Sequence, residues 1–355
     1  MSGNIEKQSV SEADSIQRVG TFSMALIERT GFANYAAPMV ERFTLLDIGC
    51  SGGIGEYWRV FDSKLECHGF DPSIESIELL RGSEKSPLVH YHSGFVIGDD
   101  PAQDSMPGRN PWNNLAICET RQIRLKRREA AADVDKATSG DWSLAALSSD
   151  KIHLPTFLRE NSFNDVDFIK IDVDGHDFEI LKSMKAAFSD YRVLGVRMEV
   201  NWIGSGNPNE HSFHNTDCFL RKCGFDLFGH ETLTYSMAAL PIRYCRAHPS
   251  DSIKGRPLQG DAVYLRDLTA PEMEKLAESY SADKLLKLAI LFSMAHNPDS
   301  AAAILVKFRD RLSSLVDITQ ALDQLVVEAG WNNLTYQELR TRFEEDWEGL
   351  YNART

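Results

Sequence analysis

The sequence predicts an α/β protein: a mainly parallel sheet with helices on both faces, followed by an all-helical C-terminal region. Three observations predict it. Around 166–181 a short apolar run (Phe168, Ile169, Ile171) leads into acidic residues and a glycine (Asp172, Asp174, Gly175, Asp177). Ile180, Leu181, Met184, Ala187 and Phe188 then fall at helical spacing. About 120 residues earlier, a second apolar run enters a glycine-rich turn, Asp47-Ile-Gly-Cys-Ser-Gly-Gly-Ile-Gly55. Beyond Ala270 the strand patterns stop and only helical periodicity continues. Strand-turn-helix units that alternate along a chain build parallel sheets, whose carboxyl edge is where ligands bind.

Composition narrows the function. Hydrophobic residues make up 43% and charged residues 25% of 355 residues, as in an ordinary globular protein. The formal net charge of −14 argues against a nucleic-acid backbone as partner. The local basic cluster Arg121–Arg128 is either a solvated face or a contact for an anionic substrate. No apolar run reaches the length of a membrane span, and the N-terminus lacks a signal core. The six cysteines show no paired zinc spacing, so a reducing cytoplasm is expected.

Taken in order, residues 1–42 are a polar tail and a helical lead-in, with Ile16, Val19, Phe22 and Leu26 at helical spacing and Pro38 as a break. Phe43–Ile48 is the first strand. Gly49, Gly52, Gly53 and Gly55 let the backbone turn tightly, and a helix expected near Glu56 would offer its amides to a ligand. The spacing is not the dinucleotide fingerprint G-x-G-x-x-G. Cys67–Phe70 is the second strand, ending in Asp71-Pro72, where an acidic group is placed to accept ribose hydroxyls. Leu88–Ile97 is a third strand with a turn at Gly94.

Residues 98–150 are rich in Asp, Pro, Gly, Asn and Ser and interrupt the pattern, with hairpin character near Ile117–Leu125. They form an insertion in a domain that spans 43–267. After Pro155 a short helix leads to the acidic strand-turn-helix. Tyr191–Val200 is the fifth strand and ends at Glu199 and Asn201; a helix over Asn215–Cys223, a strand FDLFGH and a closing strand Gly260–Leu265 follow. Residues 270–355 form a separate helical unit, which offers a surface for self-association or docking.

These residues resemble the FkbM-type S-adenosylmethionine-dependent methyltransferases of the class I Rossmann-like fold. Asp47-Ile-Gly-Cys-Ser-Gly-Gly matches the family's first motif, and Asp71-Pro72 stands where the family carries Glu-Pro. Ile169-Lys-Ile-Asp-Val-Asp-Gly175 with Glu179-Ile-Leu is close to its most specific signature, and Glu199 also fits. The chain departs at Asp174, often Glu in the family, and at His176, usually small there. The segment 98–150 and the helices after 270 have no counterpart.

The resemblance implies a methyl-donor pocket of Asp47, Gly49, Cys50, Ser51, Gly53, Asp71, Pro72, Gly94, Phe95 and Asp172. His176, Asp174 and Glu199 are the candidate catalytic groups, with His176 a base by its intrinsic range. Asp172, Asp174, Glu199 and Asn201 are oxygen donors that can hold Mg²⁺, or else simply orient the donor. His211 and His214, three apart on a loop, are weaker candidates. The implied acceptor is a hydroxyl, most readily that of a sugar in a polysaccharide, glycolipid or natural product. The alternatives are a nucleotide-dependent oxidoreductase or epimerase, against which the missing G-x-G-x-x-G counts, and a non-catalytic module that keeps a donor pocket.

Overall fold

The computed structural model describes residues 26–99, 146–173, 175–237, 239–240, 242, 252 and 254–352. After helix α1 (Gly31–Ala36) come β1 (Phe43–Ile48), a 3-10 helix (Glu56–Lys64), β2 (Leu65–Asp71), α2 (Ile74–Ser83) and β3 (Val89–Ser93). The chain continues through β4 (Phe95–Ile97), β5 (Lys151–His153), α3 (Leu154–Glu160), β6 (Phe168–Ile171), α4 (Asp177–Ser183), α5 (Ala187–Asp190) and β7 (Gly195–Asn201). Then follow α6 (Phe213–Lys222), β8 (Asp226–His230), β9 (Leu233–Tyr235) and β10 (Arg256–Leu265). The rest is helical: α7 (Glu274–Ser279), α8 (Ala282–Met294), α9 (Pro298–Lys307), α10 (Arg309–Leu312), α11 (Ile318–Glu328), α12 (Tyr336–Glu345) and α13 (Trp347–Asn352).

The main sheet runs β3-β2-β1-β6-β7-β10-β8, with β9 also on β10. β1, β2, β3, β6 and β7 are parallel, and β10 is antiparallel to both β7 and β8. The chain steps outward from β1 to β3, then returns to pair β6 on the other side of β1. That reversal opens a cleft beyond the carboxyl ends of β1 and β6. The fold is therefore the mainly parallel Rossmann-like sheet that the alternation predicts.

Central strands are buried on both faces, which is why β1 is apolar apart from Thr44 and Asp47. One face, through Leu46, Ile48, Ile169, Val196 and Met198, packs on Leu158, Ile180, Leu181 and Leu220. The other face, through Phe43, Leu45, Phe168, Val263 and Leu265, shares one core with α1 and with Leu285, Leu288, Ile304 and Leu322 of the C-terminal helices. The element type changes at residue 270; the core does not break there. Every residue of α8 from Lys284 to Met294 is buried, as expected of a helix apolar nearly all round and sandwiched between the sheet and outer helices. The outermost α12 buries no residue and is held at its start by a Thr335–Glu338 capping box.

A buried ion network fastens α8 to the amino-terminal end of the sheet. Lys284 Nζ donates to Asp167 Oδ1 at 2.6 Å, Asp165 Oδ1 at 2.7 Å and the Val166 carbonyl at 3.1 Å. Lys287 pairs with Asp167 Oδ2 at 3.2 Å and Asp283 at 2.9 Å, while the Thr44 amide donates to Asp167 at 2.8 Å.

Several boundaries differ from the sequence expectation. The run Leu88–Ile97 is two strands. At Gly94 the backbone leaves β3, its amide donating to the Asp71 carbonyl, and β4 pairs with the unpredicted β5 in a separate two-stranded sheet. A Cβ at Gly94 would stand 2.8 Å from the end of the Ile152 side chain, which would have to shift to admit one. The fifth strand starts at Gly195 rather than Tyr191, because Tyr191 ends α5 and Arg192 turns at φ 51°. The helix after the glycine-rich turn is 3-10, kinked at Asp62, so it presents a weaker amide terminus than the expected α-helix. The lead-in is described only from Leu26, and Arg121–Arg128 and Ile117–Leu125 lie outside the described residues.

Candidate active site

Strand register assembles the centre of the site. Asp47 on β1 is opposite Lys170 on β6, which is opposite Arg197 on β7. Period-2 alternation places these three above the apolar Phe43, Leu45 and Phe168 on the face shared with α8. One face thus changes from hydrocarbon to charge as the strands approach their carboxyl ends. Lys170 Nζ lies 3.3 Å from Asp47 Oδ1 and 3.3 Å from Asp172 Oδ2, and donates to the Gly49 carbonyl at 2.7 Å. Arg197 makes two bonds to Asp261, at 3.2 and 3.4 Å, and donates to the Tyr57 phenol at 3.1 Å.

Burial raises the Asp47 carboxyl above its ordinary range, opposed chiefly by Lys170. Burial works against a charged Lys170, yet Asp47 and Asp172 outweigh it and hold the ammonium protonated more firmly than usual. Arg197 is likewise disfavoured by burial and more than compensated by Asp261 and Tyr57. Within this row the carboxylates Asp47, Asp172 and Asp261 outnumber the cations Lys170 and Arg197, before Asp71 and Glu199 are added. Asp172, with 43% of its side chain exposed, is the carboxylate that reaches the cleft mouth, whereas Asp47 is 6% exposed. Lys170 is the ion-pair partner of Asp47 Oδ1.

The glycine-rich turn closes the second wall. The amides of Gly49 and Cys50 donate to the Phe70 carbonyl at 2.8 and 3.2 Å, which folds the turn back onto β2 beside Asp71. Gly49 has φ +84°, and a Cβ there would stand 1.7 Å from the Asp172 carbonyl oxygen. Only glycine lets the β1 and β6 turns approach this closely. The Cys50 side chain is buried in the core and its thiol is pushed far up by burial, so it offers the site backbone alone. Asp71 is buried; burial raises its carboxyl, and the amides of Ser73, at 2.8 Å, and Ser51 partly offset this. Residues 146–150 return beside Asp71: the Ser148 amide donates to the Pro72 carbonyl at 2.8 Å and Ile74 N to the Ala146 carbonyl at 3.1 Å. Phe95, on β4, is exposed at 41% just outside this wall.

The acidic turn after β6 is organised by Asp177, which is fully buried. Its carboxylate accepts from the amides of Val173 and Gly175, both at 3.0 Å. Gly175 turns with φ 143°. His176 is the exposed N-cap of α4, without a side-chain cap bond. Asp174 lies outside the described residues. Beyond β7, His211 bonds to the Glu199 carbonyl through Nε2 at 2.9 Å, and Asn201 Nδ2 donates to the His211 carbonyl at 3.3 Å.

The fold therefore brings Asp47, Gly49, Asp71 and Asp172 to one edge, with Glu199 half-buried on the face of Arg197. It does not gather a cation site: among the described residues, no group of three or more His, Cys, Asp or Glu is arranged for a metal. The expected Mg²⁺ donors are engaged elsewhere, Asp172 with Lys170 and Asn201 with His211. Asp47 and Asp172 do not stand alone at this edge, because Lys170 is ion-paired with both. The sequence assigns no role to Lys170, Arg197 or Tyr57, includes Asp177 only in the acidic run, and ranks His211 only among the weaker candidates. The signal for the first two was a charge on the inward phase of a buried strand. Tyr280 and Lys284 do have the spacing Tyr-x-x-x-Lys, but Lys284 is locked in carboxylates at the opposite end of the sheet. A cleft of about 700 Å³ touches Gly52 and Gly53 from behind, between Arg59, Glu84 and Tyr91, and contains none of the site carboxylates.

Among the described residues, no helix is long and apolar enough to cross a membrane. A search of the curated proteins found no match. Solved structures similar to the chain include a fibrillarin pre-rRNA processing protein of Methanococcus jannaschii, at 12% identity and TM-score 0.31, covering 64% of this chain and 68% of that one. A TehB-like SAM-dependent methyltransferase of Corynebacterium glutamicum aligns at 14% identity and TM-score 0.28, covering 72% and 96%. A SAM-dependent methyltransferase of Aquifex aeolicus aligns at 9% identity and TM-score 0.26, covering 71% and 97%. At these scores the likenesses say nothing about substrate or partner. Residues 126–227 match the family described as the methyltransferase FkbM domain. The match includes Lys170, Asp172, Asp177, Arg197, Glu199 and His211, but not the glycine-rich turn or Asp71. That stretch is set in a mainly parallel Rossmann-like sheet, and over residues 126–227 the chain is similar to the methyltransferase FkbM domain.

Proposed function

We propose that this protein transfers the methyl group of S-adenosylmethionine to a hydroxyl, most readily that of a sugar in a polysaccharide, glycolipid or glycosylated natural product. The observation that carries the reading is the convergence of Gly49–Gly53, Asp47, Asp71 and Asp172 on the cleft beside the FkbM-matched acidic turn. The residues suit the donor chemically. Asp71, at the end of β2 beside the turn, is placed for a ribose diol. Asp47 is ion-paired with Lys170 at 3.3 Å and lies beneath Asp172, the more exposed carboxylate of the edge and the one open to a donor's N–H group. The donor supplies an electrophilic sulfonium methyl. The surplus of carboxylates over cations at this edge favours a cation over a neutral product.

This chain's residues would position the acceptor and accept its proton. His176, exposed at the start of α4, is assigned the role of base, with Glu199 on the opposite side of the mouth. Alignment of the acceptor hydroxyl supplies much of the rate, about 7–11 kcal/mol in well-oriented cases. The described cysteines are free thiols, which suits a reducing cytoplasm. Calorimetric titration with S-adenosylmethionine, S-adenosylhomocysteine and NAD tests the reading. Binding of the first two and not of NAD is expected, followed by methylation in a panel of sugars. Binding of NAD alone would overturn it.

A further inference from the structure

The ligand of the methyl-transfer reading ends in an amino-acid head, an ammonium beside a carboxylate. Asp172 is open to the ammonium, but the carboxylate needs hydrogen-bond donors, and the nearest ones are occupied. The amides of Gly49 and Cys50 donate to the Phe70 carbonyl, Gly53 donates to the Cys50 carbonyl at 2.8 Å, and the Ser51 amide serves Asp71. Lys170 is turned to Asp47, Asp172 and the Gly49 carbonyl. Arg197 is held by Asp261.

Tyr57 differs from all of these. It follows the glycine-rich turn directly, and its half-buried ring folds back over Gly55, where a Cβ would stand 2.6 Å from the ring. Its phenol oxygen accepts from Arg197 Nη1 at 3.1 Å. A guanidinium only donates, so the phenol's own hydrogen points away from Arg197. No described residue accepts it. Burial, and then Asp47, hold the phenol above its ordinary range against the pull of Arg197, so at neutral pH it is a donor and not an anion. Accepting from a cation also polarises the O–H bond and strengthens it as a donor. Arg197 stands opposite Lys170 in the β6–β7 register, and Asp172 lies just past Lys170 on β6. The phenol and Asp172 are thus held by neighbouring strands, about 4.8 Å apart in a sheet. One amino-acid head bridges that span with a hydrogen bond at each end.

We propose that Tyr57 is the hydrogen-bond donor to the carboxylate of the methyl donor's amino-acid head, with Arg197 holding the phenol in place. The inference rests on the methyl-transfer reading of the same site. Arg197 acts through the phenol, and the pair selects ligands that keep the carboxylate over nucleosides that lack it.

The test is calorimetric titration of the full chain with S-adenosylhomocysteine and with its decarboxylated analogue, which keeps the amine, at concentrations raised to saturate the weaker ligand. Tyr57→Phe keeps the ring over Gly55 and removes only the hydroxyl. It is expected to weaken S-adenosylhomocysteine by about tenfold or more, as the loss of a hydrogen bond to a charged group does. The analogue is expected to bind wild type and variant within about twofold, because it lacks the group that the phenol meets. Equal losses for both ligands would show that the hydroxyl acts through packing, and overturn the proposal. A variant that binds S-adenosylhomocysteine within about twofold of wild type overturns it as well. If the wild type binds neither ligand, the methyl-transfer reading fails and takes the proposal with it. If the wild type binds and the variant gives either adverse pattern, Tyr57 alone was misassigned.

Discussion

Replacing Lys170 by Met tests whether the charged row is what holds the glycine-rich turn and the acidic turn together. Methionine fills similar space but removes the ammonium that lies 3.3 Å from both Asp47 and Asp172 and bonds the Gly49 carbonyl. At an effective dielectric constant of about 20, each pair at this distance is worth about 5 kcal/mol before desolvation. Desolvation offsets much of that, and removing one partner of a buried pair costs about 3–5 kcal/mol. Asp172 is 43% exposed and will be rescued by water, so the lower end, about 3 kcal/mol, is expected from Asp47 alone. The Asp47 carboxyl is already raised by burial and rises further without its cation. A raised folded carboxyl favours folding below its pKa, so the deficit of the variant should shrink as pH falls through that value. Urea denaturation at several pH values measures this, with calorimetry for donor affinity. A variant within about 0.5 kcal/mol of wild type at pH 7, with no pH-dependent gap, would refute the reasoning.

Other outcomes follow from the same geometry. Gly49→Ala is expected to lose at least about 1–2 kcal/mol from its left-handed φ alone, and more because its Cβ meets the Asp172 carbonyl; Gly52→Ala, with nothing within 4 Å, should stay within about 0.5 kcal/mol. Thermal melts compare the two. Because burial raises the Asp71 carboxyl, S-adenosylhomocysteine affinity should fall on acidification earlier than an ordinary carboxylate would dictate, as the ionised form is lost below the raised pKa. Asp71→Asn should weaken binding and remove that contribution in a calorimetric pH series. Lys284→Met leaves Asp167 with only Lys287 and the Thr44 amide in a fully buried setting, and should cost about 3–5 kcal/mol in denaturant with donor affinity unchanged in the folded protein.

Local chemistry was legible wherever one segment carried its own signal. Phe43–Ile48 had to be a central strand, because a run so apolar needs burial on both faces. Glycines followed by a helical stretch marked the first turn, and an acidic residue after β2 marked its neighbour. The run Asp172 to Asp177 announced the second turn, and the FkbM-matched stretch covers it. The C-terminal helices were legible as helices. Their place was not: periodicity shows which face of a helix is apolar, and α8 is apolar nearly all round without naming its neighbours.

What the tertiary structure decided was pairing. Lys170 meets Asp47 only because β6 returns to lie beside β1 in one register, across 123 residues of chain. Arg197 finds Tyr57 and Asp261 for the same reason, and His211 finds Asp177 where the β6–β7 ladder ends at Ile171 and Met198. Side-chain types and spacing are properties of a segment, and the sequence by itself determined them. Contact between segments depends on strand order and register, a collective outcome of burying both faces of the sheet, and only the folded chain sets it.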